Sequence, residues 1–591
     1  MRTSSNDSYI VCGRKAVTEV FVDKFPRQAR FVRVALGTSF VAFGVAALFG
    51  LIQALHRTDV FRFIDPGTYY TVLTGHGVFM VVTFTIFFLV GLYQWAITQS
   101  LGREPHDMRF TWIWYGLMSA GTLLTAFAIL AGFTDATDIS ADVLFTFYTP
   151  LQGHPLFYIG LVIFVIGTWL AGLDWFRSWW AWQRDHPDER IPLPTFMVLT
   201  TMIMWYISSV GVAIMIIVFI LPWSFELVES INPSLTRTLF WYFGHAFVYF
   251  WLLPAYLLWY ILLPKVSGGR LFSDPLARVV FILFVLLSVP TGIHHQYLDP
   301  GIAEGFKYIV MTNTMFLLLP SLLTAFTVVA SIEYGARQRG GEGYLRWLGA
   351  LPWSNPVFAG MALAGAVFAF GGFTGIVNAG LNINYLVHNN LWVPGHIHTQ
   401  VGTAVALTFM AGSYWLVPQL TGNRLVWREG ALIQVVTWFL GIVIMVNAMY
   451  RGGLVGMPRR TAEPEYDGFA YDVPVGSVGE LDFQIAAGGT ILFLSGVLFL
   501  VLIGLTARNH GTTPRDDARI PRPLSGPEDS PPVLDNLKLW VVIALVLVAL
   551  AYLFPLASVV SRGGLWGPDI GPIPVSVDIM RGLFHLVAPI G

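Results

Sequence analysis

The stretch 244–265 reads GHAFVYFWLLPAYLLWYILLPK, with one histidine near its start and a charged residue only at its end, Lys265. Roughly 20 consecutive apolar residues are enough to cross a bilayer as an α-helix. The stretch also carries three tyrosines at spacings of seven and four, which place them on one helix face. These features predict a membrane-spanning helix with one polar face.

Similar apolar runs recur along the whole chain of 591 residues. Hydrophobic residues make up 55% of the chain and charged residues only 12%, about half the charge of a typical soluble domain. We therefore predict an all-α polytopic membrane protein with about 13 transmembrane helices. The predicted spans are 31–55, 69–98, 110–133, 155–175, 195–222, 236–264, 276–293, 308–333, 357–380, 393–418, 430–449, 483–507 and 536–560.

Lys and Arg residues concentrate in alternate predicted loops, with the long segment 450–482 as the exception. Cytoplasmic loops of membrane proteins are enriched in these residues, so we predict the N-terminus inside and the C-terminus outside. The chain then divides into a cytoplasmic segment 1–30, a membrane domain 31–560 and an outer-face tail 561–591. Within that tail, 573–591 is apolar but short, which indicates an interfacial segment.

Charge and cysteine content exclude several classes of protein. The net charge is −1, so there is no electrostatic case for binding nucleic acid. The only cysteine is Cys12, which excludes internal disulfides, thiolate zinc sites and iron–sulfur clusters within this chain. Any metal must therefore be held by histidine, tyrosine or carboxylate side chains.

Six of the thirteen histidines fall at a similar depth in the predicted outer half of the membrane. Ionisable groups are costly there and usually mark function, and a set of neutral imidazoles predicts a metal centre. These histidines are His76, His245, His294, His295, His396 and His398.

Spacing separates two of these side chains. His396 and His398 point about 200° apart on a helix, so each can bind a different centre on either flank of one span. His76 could pair with either of them as the two axial ligands of a haem.

The other three histidines can converge on one metal. His294 and His295 are adjacent at a predicted helix end, where the backbone can relax, and both could reach one metal together with His245. Three histidine ligands with an open position suit copper facing a substrate.

Three segments resemble the catalytic subunit, subunit I, of the haem–copper oxygen reductases (cytochrome c oxidases), and most closely their B-type branch. They are 244–265, quoted above, VPTGIHHQYLDPGI at 289–302 and WVPGHIHTQVG at 392–402. The resemblance covers nearly all the predicted spans. It implies a terminal respiratory oxidase that reduces O2 to water, coupled to proton uptake and proton pumping, in a prokaryotic cytoplasmic (inner) membrane.

The resemblance also implies two haems. His76 and His398 would be the axial ligands of a low-spin haem of b-type, and His396 the axial ligand of a high-spin haem of a- or o-type. Arg459 and Arg460 look like the family's arginine pair for haem propionates, and arginine suits a bidentate carboxylate partner.

One active-site copper is implied at the three converging histidines. His245, His294 and His295 would hold it, and Tyr249 would be the tyrosine that this family joins covalently to the histidine. The i, i+4 spacing places Tyr249 on the same helix face as His245. A phenol there could supply a proton and an electron for cleaving the O–O bond.

A series of hydroxyl groups resembles the single proton channel of the B-type branch. The segment 245–249 lacks the glutamate that the A-type branch carries there, so a glutamate-dependent second channel is not expected. A helix–helix seam held by hydroxyl groups is the competing interpretation. The channel residues would be Tyr256, Tyr260, Ser273, Ser321 and Thr324.

One position departs from the family pattern. The family usually has Asp four residues before the histidine that precedes the span-10 motif, and here these residues are Asn384 and His388. An amide cannot take up a proton, so a proton-loading role would fall to His388 with a haem propionate.

A dinuclear copper site that receives electrons needs two cysteines, so we expect it on a subunit II-like partner fed by cytochrome c or a copper protein. The alternative function is a nitric oxide reductase of the same superfamily, but those enzymes usually replace the copper with iron and add carboxylates. A two-haem electron carrier would leave three histidines without a role. A secondary transporter predicts inverted repeats and broken helices, and the sequence suggests neither.

Overall fold

The computed structural model describes residues 19–58, 60–105, 107–462, 478–509 and 517–567. Cys12 and the predicted interfacial segment 573–591 lie outside these residues. Within the described ranges, twelve helices are long and apolar enough to cross a membrane, or thirteen with one bent pair. They are α1 Pro26–His56, α2 Pro66–Leu101, α3 Met108–Ala131, α4 Pro155–Asp185, α5 Leu193–Ser224, α6 Pro233–Val266, the bent α7 Asp274–Leu287 with Val289–Gln296, α8 Glu304–Gln338, α9 Pro356–Ala379, α10 Trp392–Thr421, α11 Arg428–Leu454, α12 Val478–Arg508 and α13 Leu537–Gly563.

This architecture confirms the predicted all-α polytopic fold and its number of spans. The sidedness of the termini and the division at residues 30 and 561 stay predictions. We call the end of the bundle that carries the histidine cluster the outer end, following the predicted orientation. The short helix Leu381–Val387 lies between α9 and α10 at this end.

Polar caps and prolines begin several of the spanning helices. At α2, the Asp65 carboxylate accepts a hydrogen bond from Thr68 N at 3.0 Å; at α6, the Asn232 side chain accepts one from Leu235 N at 3.1 Å. A proline follows the capping residue in both helices. The cap satisfies a free N–H group of the first turn and the proline needs none, so these sequence pairs locate the helix starts.

Two helices, α6 and α10, form the centre of the bundle. In their most apolar stretches 89% and 94% of residues are buried, compared with 22% in α13. A helix that is apolar on all sides and buried on all sides belongs to the interior. The histidines of α6 and α10 are therefore held away from the lipid.

Two spans are broken. The two parts of α7 meet at 51°, and its second part, Val289–Gln296, is a 3₁₀ segment with Pro290 near its start. In α8, Leu317 separates Glu304–Phe316 from Leu318–Gln338. The sequence analysis did not indicate these two breaks, because average hydropathy does not detect a local bend.

Wide π-helical turns follow two of the histidines. In α2 the π-helical segment Val78–Phe84 begins two residues after His76, and in α10 Gln400–Val405 begins two residues after His398. Such turns are rare and frequently occur at functional sites. They change the direction in which the following side chains point.

Glycines allow α3 and α4 to pack closely. A Cβ atom added at Gly160 would lie 2.7 Å from the carbonyl O of Gly121, whereas one added at Gly116 meets nothing within 4 Å. Small residues of this kind let membrane helices approach each other.

We expect Gly160→Ala to separate α3 from α4 and to cost about 1–3 kcal/mol, as overpacking usually does. The apparent thermal midpoint of the purified protein should fall. Gly116→Ala is the matched control and should leave the midpoint unchanged; equal midpoints for both variants would contradict the close approach.

Candidate metal centre

A cavity of about 960 Å³ lies inside the outer half of the bundle and extends toward its inner end. Its volume is at the upper limit of the roughly 300–1,000 Å³ that small-molecule sites usually have. All six histidines of the predicted cluster line it: His76, His245, His294, His295, His396 and His398. The structure thus brings together the six histidines that the sequence analysis placed at a similar depth in the membrane.

Three of these histidines form a possible metal site. His245, from α6, and His294 and His295, from the 3₁₀ part of α7, each offer a ring nitrogen, and these atoms lie within 4.8 Å of one another. His245 Nδ1 is 3.1 Å from His295 Nε2. The bend in α7 brings His294 and His295 close to His245 of α6. Neutral imidazoles at this spacing suit a copper ion.

Neighbouring side chains orient two of these rings. His294 Nδ1 lies 3.0 Å from Thr314 Oγ1, whose own hydroxyl donates to Val310 O. The Thr314 oxygen therefore accepts from His294 Nδ1–H, which leaves Nε2 bare for a metal. The Trp241 ring stacks on His295 at 3.6 Å with an interplanar angle of 5°.

Tyr249 contacts the same group. Its hydroxyl oxygen is 3.0 Å from His245 Nε2. That contact occupies the Nε2 edge of His245, so Nδ1 is the atom left for a metal shared with His295.

His76 and His398 face each other across the cavity. Their ring centroids are 6.3 Å apart and their planes differ by 12°. Each ring donates its Nδ1–H to a carbonyl oxygen at 2.8 Å, of Ala46 and Pro394 respectively. Both Nε2 atoms are therefore unprotonated, which is the form that can bind a haem iron from two sides. The spacing argument left open which α10 histidine pairs with His76, and the geometry selects His398.

His396 lies on the opposite flank of α10. Its Nδ1 is 2.9 Å from Thr374 Oγ1, and a Cβ atom at Gly375 would lie 3.0 Å from its Cε1. The ring therefore occupies space that only glycine leaves free, with Nε2 available to a second haem.

Arg459 and Arg460 line the outer end of the cavity. Arg459 donates to the Asn389 side chain at 2.7 Å, but its buried Nε has no partner among the described residues. Burial, followed by the adjacent Arg460, holds the pKa of Arg459 below its ordinary value. Two adjacent partly buried cations with an unpaired N–H group fit the carboxylates of a haem.

The tyrosine and hydroxyl residues pair across α6 and α8. Tyr256 OH donates to Ser321 Oγ at 3.5 Å, and Tyr260 OH is 2.7 Å from Thr324 Oγ1. Ser273 lies at the start of α7, where its hydroxyl oxygen accepts a hydrogen bond from Leu276 N at 3.2 Å.

His388 and Asn384 lie beside the arginines. His388 Nδ1 is 3.2 Å from Asn384 Oδ1, and the Asn384 amide donates to Asn378 O at 2.7 Å. Burial, and then the positive charge of Arg459, lower the pKa of His388 to about 4. An anion placed among these groups would raise it again.

The sequence analysis did not identify two arginines that line the cavity. Arg57, which follows α1, pairs with Asp482 at 3.3 Å, and Arg237, in the first turns of α6, pairs with Asp299 at 3.0 Å. Both arginines line the cavity. Their position at the outer ends of apolar spans, away from the predicted cytoplasmic side, was the available signal.

Known proteins match this architecture. The family described as "Cytochrome C and Quinol oxidase polypeptide I" matches residues 30–515. Over 529 residues the chain is 40% identical to "Cytochrome c oxidase subunit 1" of Thermus thermophilus, covering 87% of this chain and 92% of the relative. It is 25% identical over 476 residues to "Alternative cytochrome c oxidase subunit 1" of Bradyrhizobium diazoefficiens, covering 74% and 76%.

A solved structure agrees. The fold matches a haem–copper terminal oxidase dimer determined by cryo-EM with a TM-score of 0.84 and 34% identity, covering 95% of this chain and 98% of the other. Fold and cavity thus define a polytopic redox protein that holds haem and copper. The chain belongs to the family of cytochrome c and quinol oxidase subunit I. It is the catalytic subunit of an O2-reducing terminal oxidase, and it works in a membrane with other subunits; the nitric oxide reductase alternative is not favoured.

Gly50 of α1 gives the His76 ring its room, because a Cβ atom there would lie 2.8 Å from His76 Cε1. We expect Gly50→Val to displace this ring and to weaken or abolish the low-spin haem absorbance. Gly37→Val, on the same helix, is the control, since a Cβ at Gly37 meets nothing within 4 Å. A normal reduced-minus-oxidised spectrum for Gly50→Val would show that the ring position is not restricted.

Proposed function

We propose that His245, His294 and His295 hold one copper, that His76 and His398 ligate a low-spin haem, and that His396 ligates a high-spin haem. The observation that carries this proposal is the convergence of three ring nitrogens within 4.8 Å, in the cavity that the other three histidines line. When bound, the two irons and the copper supply the O2-binding site and the electrons that reduce it. The chain orients the rings and keeps the nitrogen that would face the metal unprotonated.

Tyr249 would act on the reacting oxygen as a source of one proton and one electron. Its hydroxyl lies beside His245 Nε2 at 3.0 Å, so the phenol borders the site where O2 is reduced. The same proximity supports a covalent link between this tyrosine and the histidine.

Protons would reach the site from the inner end through Thr324, Tyr260, Ser321 and Tyr256. Two hydrogen-bonded contacts support this route, at 2.7 Å and 3.5 Å, and the tyrosines of α6 descend about 16 Å from Tyr249 to the inner end. Ser273 would act at the inner mouth, where its oxygen accepts from Leu276 N and its hydroxyl hydrogen can still be donated. His388, beside Arg459 and a haem propionate, would load a proton for pumping.

Electrons would come from cytochrome c or a copper protein through a subunit II-like partner with a dinuclear copper site. Arg459 and Arg460 would bind haem propionates near the face where that partner docks. The enzyme would work in a prokaryotic inner membrane. The membrane assignment follows from the family. The separate electron-entry subunit follows from the single cysteine of this chain, since a dinuclear copper site needs two.

The shape of the cavity supports a prenylated high-spin haem of a- or o-type. From Gly375 beside His396, the cavity follows α9 to Phe358, which is about 25 Å at 1.5 Å per residue. This length exceeds a porphyrin ring, and the inner part is lined by apolar side chains, including Val328, Ile332 and Ala362. An isoprenoid tail would occupy it, with the low-spin haem being of b-type.

Extraction of the haems should give one b-type haem and one prenylated haem in equal amounts. Mass spectrometry after separation measures both species directly. Recovery of b-type haem alone would contradict the proposal that an isoprenoid tail occupies the apolar inner part of the cavity.

Replacing His294 with Ala should reduce copper to background and abolish O2 reduction while both haems stay bound. His76→Ala should instead remove the low-spin haem signal and keep carbon monoxide binding at the high-spin haem. Metal counts and reduced-minus-oxidised spectra measure both. His186→Ala is the control, because His186 stacks on Trp182 at 4.6 Å, away from the cavity. Full copper in His294→Ala would refute the three-histidine site.

Thr324→Val should slow proton uptake from the inner side by at least roughly 10-fold, because it removes a hydroxyl that carries the proton. Haem spectra should not change. Thr327→Val is the matched control, since the Thr327 hydroxyl donates only to Leu323 O. Time-resolved proton uptake in oriented vesicles is the measurement, and equal rates in the two variants would leave these hydroxyls as interhelical packing.

A further inference from the structure

A small hydrogen-bonded group lies behind His396, on the side away from the cavity. It joins three helices. His396 Nδ1 is 2.9 Å from Thr374 Oγ1 of α9, and Tyr450 OH of α11 donates to the same Thr374 oxygen at 3.1 Å. Tyr450 OH is also 2.7 Å from Thr399 Oγ1 of α10.

The number of available hydrogens determines the direction of these bonds. The Thr374 hydroxyl has one hydrogen, which it donates to Gly371 O at 2.9 Å. Tyr450 also has a single hydrogen; when it is donated to Thr374 Oγ1, the 2.7 Å contact with Thr399 runs from the Thr399 hydroxyl to the Tyr450 oxygen, in place of the Thr399 bond to Gly395 O. The Thr374 oxygen then accepts both from His396 Nδ1–H and from Tyr450 OH. This arrangement requires the tautomer of His396 with a proton on Nδ1 and none on Nε2, the nitrogen that faces the cavity.

Packing alone does not account for the Tyr450 hydroxyl. The Tyr450 ring is buried and lies 4.7 Å from Trp392 and 5.9 Å from Phe370. Phenylalanine would make the same ring contacts. The hydroxyl instead lies between Thr399 Oγ1, at 2.7 Å, and the Thr374 oxygen that also contacts His396, at 3.1 Å.

We infer that Thr374 and Tyr450 are positioning residues for His396, which together determine how strongly its Nε2 donates to a metal. Thr374, together with the nearby Gly371 carbonyl, accepts from His396 Nδ1–H and so increases the basicity of Nε2, as partners of metal-bound histidines generally do. Tyr450 donates to the same oxygen and makes it a weaker acceptor, which opposes Thr374. The inference rests on the proposed role of His396 as the axial ligand of the high-spin haem.

The two residues should therefore have effects of opposite sign. Thr374→Val should lower the iron–histidine stretching frequency of the reduced high-spin haem and raise its midpoint potential. Tyr450→Phe should raise that frequency and lower that potential. Resonance Raman spectroscopy and a redox titration measure these quantities independently of turnover. In Thr374→Val/Tyr450→Phe the second change should have no further effect, because the shared oxygen is gone.

Controls separate this inference from the ligand assignment. Thr374→Ser should restore the wild-type values, and Thr200→Val, which removes a buried hydroxyl bonded to Phe196 O, should not shift either quantity. The low-spin haem serves as an internal reference. Wild-type frequency and potential in Thr374→Val, or additive effects in the double variant, would overturn the inference. An iron–histidine band that persists in His396→Gly would instead refute the axial role of His396.

Discussion

The central constraint on this protein is that several imidazole rings must remain neutral and fixed in orientation inside a bilayer. Each ring needs one nitrogen in a hydrogen bond and the other free to bind a metal. No water is available there to satisfy a polar group, so the protein must supply every partner. His76 and His398 meet this constraint with backbone carbonyls, and His294 and His396 meet it with threonine oxygens. In each of these four rings, Nδ1 is hydrogen-bonded to the protein and Nε2 is free to bind a metal.

Regular helices cannot meet this constraint by themselves. Adjacent residues on an α-helix point about 100° apart, yet His294 and His295 must both approach His245. The bend in α7 and its 3₁₀ segment bring them together. Regular α-helix is likewise interrupted just after His76 and His398, where π-helical turns begin. These three departures from the ideal helix lie within or next to the segments that carry the histidines.

The four arginines that line the cavity differ in how their charges are balanced. Arg57 and Arg237 each have a carboxylate partner, whereas Arg459 and Arg460 are adjacent and share none in the described ranges. Cations without a partner at the edge of a membrane cavity are costly, and carboxylates of a cofactor would remove that cost. Haem propionates would therefore fit beside Arg459 and Arg460.

The sequence alone determined the class of protein, the number of spans and the six histidines that line the cavity. Apolar length follows directly from bilayer thickness, and histidines at one depth are visible once the spans are placed. Residue spacing did not determine that His398 rather than His396 faces His76, although the family resemblance assigned that pair. The sequence also did not indicate that Ser273 caps α7 or that Thr314 and Thr374 contact the histidine rings. These depend on the rotation and bending of each helix about its own axis. Packing between α9, α10 and α11 sets that rotation, and no local pattern of residues encodes it.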